Sequence, residues 1–237
     1  MMMRLHEFNP QDLTSTAWAF ATARQEAPKL FEMLSDAILK LLHQFDPQGL
    51  ANTAWAFATV GYREPELFEA LSHAIIMRVH ELKEQELSNS AWAFATARHH
   101  APALFKALSS ATIKRLHNFN PQGLANTAWA FAAAWYHEAE LFKALSSEIM
   151  AHLHEFIPQG LANIAWAFAT AQPEAPALFE MLSHAIMLHV NEFNPQDLNR
   201  TAWAFATAGH EAPELFEALS KATVKRVHEF NLQELAD

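Results

Sequence analysis

The sequence predicts an all-α fold: a right-handed α-solenoid of six tandem 37-residue helix-pair repeats with a partial repeat at each end. Three observations predict it. Trp18, Trp55, Trp92, Trp129, Trp166 and Trp203 recur every 37 residues with no insertion or deletion. Each tryptophan sits in the same octapeptide, from "STAWAFAT" (15–22) through "NTAWAFAT" (52–59) to "RTAWAFAT" (201–208). Each period also carries two helix-start signals. A fixed period of this size marks stacked supersecondary units. One such unit cannot bury its apolar face alone, and stacked neighbours can.

Residues 1–7 read as the tail of a repeat, the counterpart of "IKRLHNFNPQ" (113–122). Full repeats follow at 8–44, 45–81, 82–118, 119–155, 156–192 and 193–229, and 230–237 opens a seventh. The array is read as one unit over 1–237. Neither end carries a polar cap, which predicts a piece of a longer array.

The first helix of each repeat starts at "FNPQDL" or "FDPQGL", where Asn or Asp caps and Pro occupies the first turn without losing a needed donor. Repeat 3 lacks this Pro ("LKEQEL", 82–87). The helix stops near residues such as Gly61 and Gly209. The second helix starts at "APELFEAL" or a variant and runs to the next Phe. Acidic residues fill its first turns (Glu66, Glu69, Glu214, Glu217) and basic ones its last (Arg78, Lys225, Arg226). That polarity complements the helix dipole. Repeat 4 has an atypical connection, "WYHEAEL" (135–141), whose Trp135 and Tyr136 form either an extra contact point or a cover for a local gap.

In the first helix, Leu50, Ala54, Trp55, Phe57 and Ala58 are expected on one core-facing arc. The opposite arc then carries Gln48, Gly49, Asn52, Thr53, Ala56 and Thr59. On this reading tryptophan and phenylalanine fill the core together, and the octapeptide is scaffold.

Two columns of the polar arc vary between repeats. One is Asp12, Gly49, Glu86, Gly123, Gly160 and Asp197; the other is Ser15, Asn52, Asn89, Asn126, Asn163 and Arg200. On a concave first-helix face they make a ladder of donors and acceptors, one rung per repeat at roughly 10 Å steps. A ladder of this kind suits single-stranded RNA read at about one base per repeat, here a low-complexity run of roughly six nucleotides. The other reading is packing and solvation: small residues let first helices approach, and the amides face water. The end of the second helix supplies candidate phosphate contacts: Lys40, Arg78, Lys114, Arg115, His152, His189, Lys225 and Arg226. The same residues also serve as dipole-complementing ends of helices.

Composition narrows the classes. Cysteine is absent, which removes disulfides, thiolate metal sites and cysteine nucleophiles. No apolar run approaches the roughly 20 residues that span a bilayer. The histidines lack metal-site spacing, and no phosphate loop, nucleophile elbow or carboxylate dyad occurs. A non-enzyme without cofactor, metal or small-molecule substrate is expected. The net charge of −10 disfavours a polyanion, although the 14 histidines make the surface sensitive to acid pH. The N-terminus, "MMMRLHEFNPQ", reads as neither a signal nor a transit peptide.

The pattern "PQ-L-N--WA-A" in the first helix, with "L---L" and a basic end in the second, resembles the octotricopeptide and heptatricopeptide repeat families over residues 1–237. The resemblance implies an α-solenoid that binds single-stranded RNA in mitochondria or plastids, acting in organellar RNA metabolism or ribosome assembly. The chain departs from that pattern in charge, with 16 Lys+Arg against 26 Asp+Glu. The alternative is an assembly scaffold holding an extended basic peptide or protein partner.

Overall fold

The computed structural model describes residues 7–171 and 174–227. Almost all of both partial repeats, with His228 and Glu229, lies outside the described residues. Two compact units divide the chain, Met1–Arg115 and Leu116–Asp237. Twelve α-helices, two per repeat, form the described residues, which contain no strand.

The first unit holds α1 (Pro10–Thr22), α2 (Pro28–Leu41), α3 (Pro47–Thr59), α4 (Pro65–Met77), α5 (Glu84–Ala97) and α6 (Pro102–Ile113). Odd-numbered helices pack on the next odd-numbered helix, even ones on the next even one, and each pair packs internally. The second unit repeats the arrangement with α7 (Pro121–Ala133), α8 (Ala139–Ala151), α9 (Pro158–Ala171), α10 (Pro176–His189), α11 (Pro195–Ala208) and α12 (Pro213–Lys225). Each unit is thus a stretch of α-solenoid, as the period predicts.

Local chemistry explains the boundaries. Asn9, Asp46, Asn120 and Asn194 accept the N–H three residues on, at 3.0, 2.6, 2.7 and 2.8 Å. These bonds satisfy donors that the first turn leaves open. In repeat 3, where no such acceptor and no Pro exist, the Glu86 carboxylate reaches back to the Lys83 N–H at 2.7 Å and α5 starts in register. At the C-terminal ends, Gly61 and Gly209 adopt left-handed backbone (φ 73° and 64°), and so do Arg24, Arg98 and Trp135. The Gly61 and Tyr62 N–H groups bond the carbonyls of Ala58 and Phe57, closing the helix end.

The repeat-to-repeat joint is a pair of phenylalanines. Phe31 meets Phe57 edge-on at 5.0 Å and Phe68 meets Phe94 at 5.3 Å in the first unit. Phe142 meets Phe168 at 5.3 Å and Phe179 meets Phe205 at 5.2 Å in the second. Edge-to-face geometry at this spacing stabilises beyond the area it buries. These first-helix phenylalanines are at most 1% exposed.

Candidate nucleic-acid interface

The first helix has three functional faces rather than two. At about 100° per residue, Gln48, Asn52, Trp55 and Thr59 fall within an arc of about 60°. This arc faces solvent: Gln48 is exposed, and Asn52, Trp55 and Thr59 are half-buried. Leu50, Ala54 and Phe57 point the other way into the core. The flanks, Ala51 with Ala58 and Thr53 with Ala56, are buried against neighbouring first helices. A buried hydroxyl pair, Thr14 with Thr53 at 3.2 Å, ties α1 to α3 there.

Two sequence expectations are corrected by this placement. The tryptophans are not core partners of the phenylalanines; they stand on the solvent arc beside the amides. Thr53 and Ala56 are not on that arc. The reason is the spacing: steps of four, three and four residues from Gln48 keep one face, whereas Phe57, two residues beyond Trp55, is about 200° away. Tryptophan's apolar bulk suggested core, but the period places it outside.

Consecutive tryptophans approach one another. Trp55 and Trp92 lie 6.3 Å apart between ring centroids in the first unit. Trp129, Trp166 and Trp203 follow at 6.1 and 6.5 Å in the second, and all three pairs are tilted by 30–34°. Each repeat therefore presents a glutamine, a variable polar residue, an indole and, in all but repeat 4, a threonine. The exposed glutamines (Gln11, Gln48, Gln85, Gln122, Gln159, Gln196), which the sequence places on the polar arc without a reading role, and the tryptophans, which it assigns to the scaffold, complete the stripe.

The variable columns separate. In the second one, equivalent positions meet: Arg200 Nη1 donates to Asn163 Oδ1 at 2.5 Å, across one repeat. Ser15 is exposed, and Asn52, Asn89, Asn126 and Asn163 are half-buried along the stripe. The first column lies in the capping turn. Asp12 Oδ2 accepts the Asn9 N–H at 3.1 Å, and Glu86 does the same for Lys83. Glu86, Gly123, Gly160 and Asp197 are buried. A Cβ at Gly123 would come within 3.2 Å of both Asn120 Oδ1 and the Phe119 ring, and one at Gly49 within 2.9 Å of Asp46 Oδ1. Burial pushes the Asp197 carboxyl up from its ordinary range, while Arg200 and the Asn194 cap pull it down.

The basic edge also separates. Arg78 Nη1 donates to the Phe45 carbonyl at 2.6 Å and Arg115 Nη1 to the Leu82 carbonyl at 2.5 Å. Arg226 bonds the Phe193 carbonyl in the same way. Each arginine staples the end of its repeat to the beginning, 33 residues earlier. Arg78 also forms a two-point pair with Glu81 at 3.0 and 2.7 Å. In the same column His152 is held between Glu148 and Glu155, and His189 meets Glu192 at 3.0 Å. Lys40, Lys114 and Lys225 lie one position earlier and are exposed.

Trp135 is 76% exposed and covers no gap, while Tyr136 is half-buried beside Phe131 at 5.9 Å. Among the described residues, no group of three or more His, Asp or Glu could hold a metal ion, and no helix is long and apolar enough to cross a membrane.

A family model described as RESC8, RNA-editing substrate-binding complex 8 protein, matches residues 1–231. The match names this family and not the octotricopeptide or heptatricopeptide families that the repeats resemble. A comparison with curated proteins returns no match. The chain belongs to the RNA-editing substrate-binding complex 8 family.

Proposed function

We propose that this chain, as a member of a family named for an RNA-editing substrate-binding complex, is a non-catalytic repeat protein that holds single-stranded RNA along the solvent arc of its first helices. The observation that carries this reading is the stripe of glutamine, asparagine and tryptophan repeated on successive helices of each unit. Indoles stack any base, and side-chain amides bond base edges as both donor and acceptor. Ser15, Asn52, Asn89, Asn126, Asn163 and Arg200 are the reading column. Asp12, Gly49, Glu86, Gly123, Gly160 and Asp197 set its spacing from the capping turn rather than touching a base. Lys40, Lys114 and Lys225 contact phosphates, while Arg78, Arg115, Arg226, His152 and His189 act mainly within the fold. The family name supports a place in a mitochondrion over a plastid.

The net charge of −10 and the carboxylates Glu81, Glu155 and Glu192 beside the basic edge favour a second reading, an assembly scaffold for a basic peptide. One selection separates the two. A randomised single-stranded RNA pool is passed over the chain at 50 and 200 mM salt, and retained species are sequenced. Short enriched motifs with salt-sensitive affinity are expected, because neutralised phosphates release counterions. Changing Asn52, Asn89 and Asn126 to Asp should shift the enriched motif without unfolding the chain. Absence of retained RNA at 50 mM, with Lys/Arg-rich peptides bound instead, would establish the scaffold reading.

A further inference from the structure

The reading column, uncharged from Ser15 to Asn163, gains a charge once. Four repeats place Asn at this position (Asn52, Asn89, Asn126, Asn163), and the sixth places Arg200. Around Arg200 lies a cleft of about 400 Å³ lined by Trp166, Gln196, Asn199, Arg200 and Trp203. Its two indoles are 6.5 Å apart and inclined by 30°. Trp203 is 44% exposed and turns open ring surface to solvent.

From this juxtaposition we infer that the Trp166–Arg200–Trp203 cleft is a nucleotide subsite, in which a base stacks on Trp203 and its phosphate pairs with the Arg200 guanidinium. The inference rests on the RNA reading above and deepens it. Three features support it. A guanidinium carries five N–H donors in a planar fork that matches phosphate oxygens, and its bond to Asn163 uses one nitrogen. Indole stacking is tolerant of base identity, so the subsite anchors a strand without reading it. Gln196 is exposed and Asn199 half-buried on the same cleft, and they supply amide donors and acceptors to the base edge. The neighbouring carboxyl, Asp197, is buried and is not among the residues that line the cleft. Its charge and that of Arg200 attract each other. In the other repeats an asparagine or, at Ser15, a serine offers no charge, so the strand has one fixed point of register among otherwise uncharged rungs.

The test uses the whole chain and fluorescein-labelled A12 and U12 RNAs, with affinity read by anisotropy between 50 and 200 mM salt. Arg200→Asn installs the residue that four other repeats carry, so the fold is retained. It should weaken both RNAs about five- to ten-fold at 50 mM and reduce the salt slope by about one phosphate. Arg200→Lys should recover most of the slope but less of the affinity, because a point charge replaces the fork. Trp203→Ala should weaken both RNAs at least about five-fold. If Arg200→Asn and Trp203→Ala bind as the unaltered chain does while Asn126→Ala weakens binding, the subsite is wrong and the stripe stands. If the unaltered chain binds neither RNA at 50 mM, both readings fall.

Discussion

The solvent arc of the first helices and the basic edge of the second helices look equally suited to a ligand in the sequence. Both are periodic, polar and present in most repeats. The structure treats them differently. On the arc, Gln48 is exposed and Asn52 and Trp55 are half-exposed toward solvent. On the edge, Arg78 and Arg115 end on backbone carbonyls, and Arg78, His152 and His189 face glutamates three residues on. Residue type alone does not tell a ligand contact from a structural tie; the destination of each hydrogen bond does.

Adjacent cations sharpen the contrast most. Arg115 and Lys114 are neighbours in sequence, yet one is stapled to Leu82 and the other is exposed. Arg115→Ala should destabilise the chain by about 1–3 kcal/mol, because it leaves a partly buried carbonyl without its donor. Lys114→Ala should change stability by no more than about 0.5 kcal/mol. Urea denaturation measures both. RNA affinity should respond in the reverse order, falling with Lys114→Ala. Equal stability losses for the two would erase the distinction between tie and contact.

The period, the helix pairs and their start points were legible because each depends on residues close in sequence. Pro and Asn at a helix start act within one turn, and Glu86 replaces both in repeat 3 from three residues away. The phase of the solvent arc was misread at Trp55. An apolar ring beside Phe57 looked like core, although its seven-residue step from Gln48 places it with the amides. The arginine staple was not legible. Its acceptor is a backbone carbonyl 33 residues away, and backbone groups leave no mark in a residue column. The signal available was indirect: in three of the six repeats an arginine follows the repeat-opening Phe or Leu by the same 33 residues.

Trp135 supplies a smaller test of whether any exposed indole would serve, or only those of the arc. It sits at φ 56° where two other repeats have Gly61 and Gly209, and it is 76% exposed. A bulky side chain in left-handed backbone is disfavoured, and glycine removes that cost. Trp135→Gly should therefore raise stability by about 0.5–1 kcal/mol by urea denaturation, with RNA affinity unchanged. A loss of RNA affinity in this variant would extend the interface to the inter-helix loops and break the restriction to the first-helix arc.

His152 gives the finest comparison, since it occupies the arginine column with a shorter, titratable side chain. Its hydrogen bond to Glu155 at 2.9 Å raises its pKa above the ordinary histidine value, with a further contribution from Glu148. The folded value therefore lies above the unfolded one. What this pair contributes is fully present below the unfolded value, about 6.5, and is lost as pH rises through the folded value. An NMR titration should place the His152 midpoint above the ordinary histidine value, and Glu155→Gln should lower it toward that value. Because protonation at His152 is matched by two carboxylates, acidification to pH 6 should strengthen RNA binding no less in a His152→Gln chain than in the unaltered one. A gain that disappears with His152→Gln would return the basic edge to the ligand.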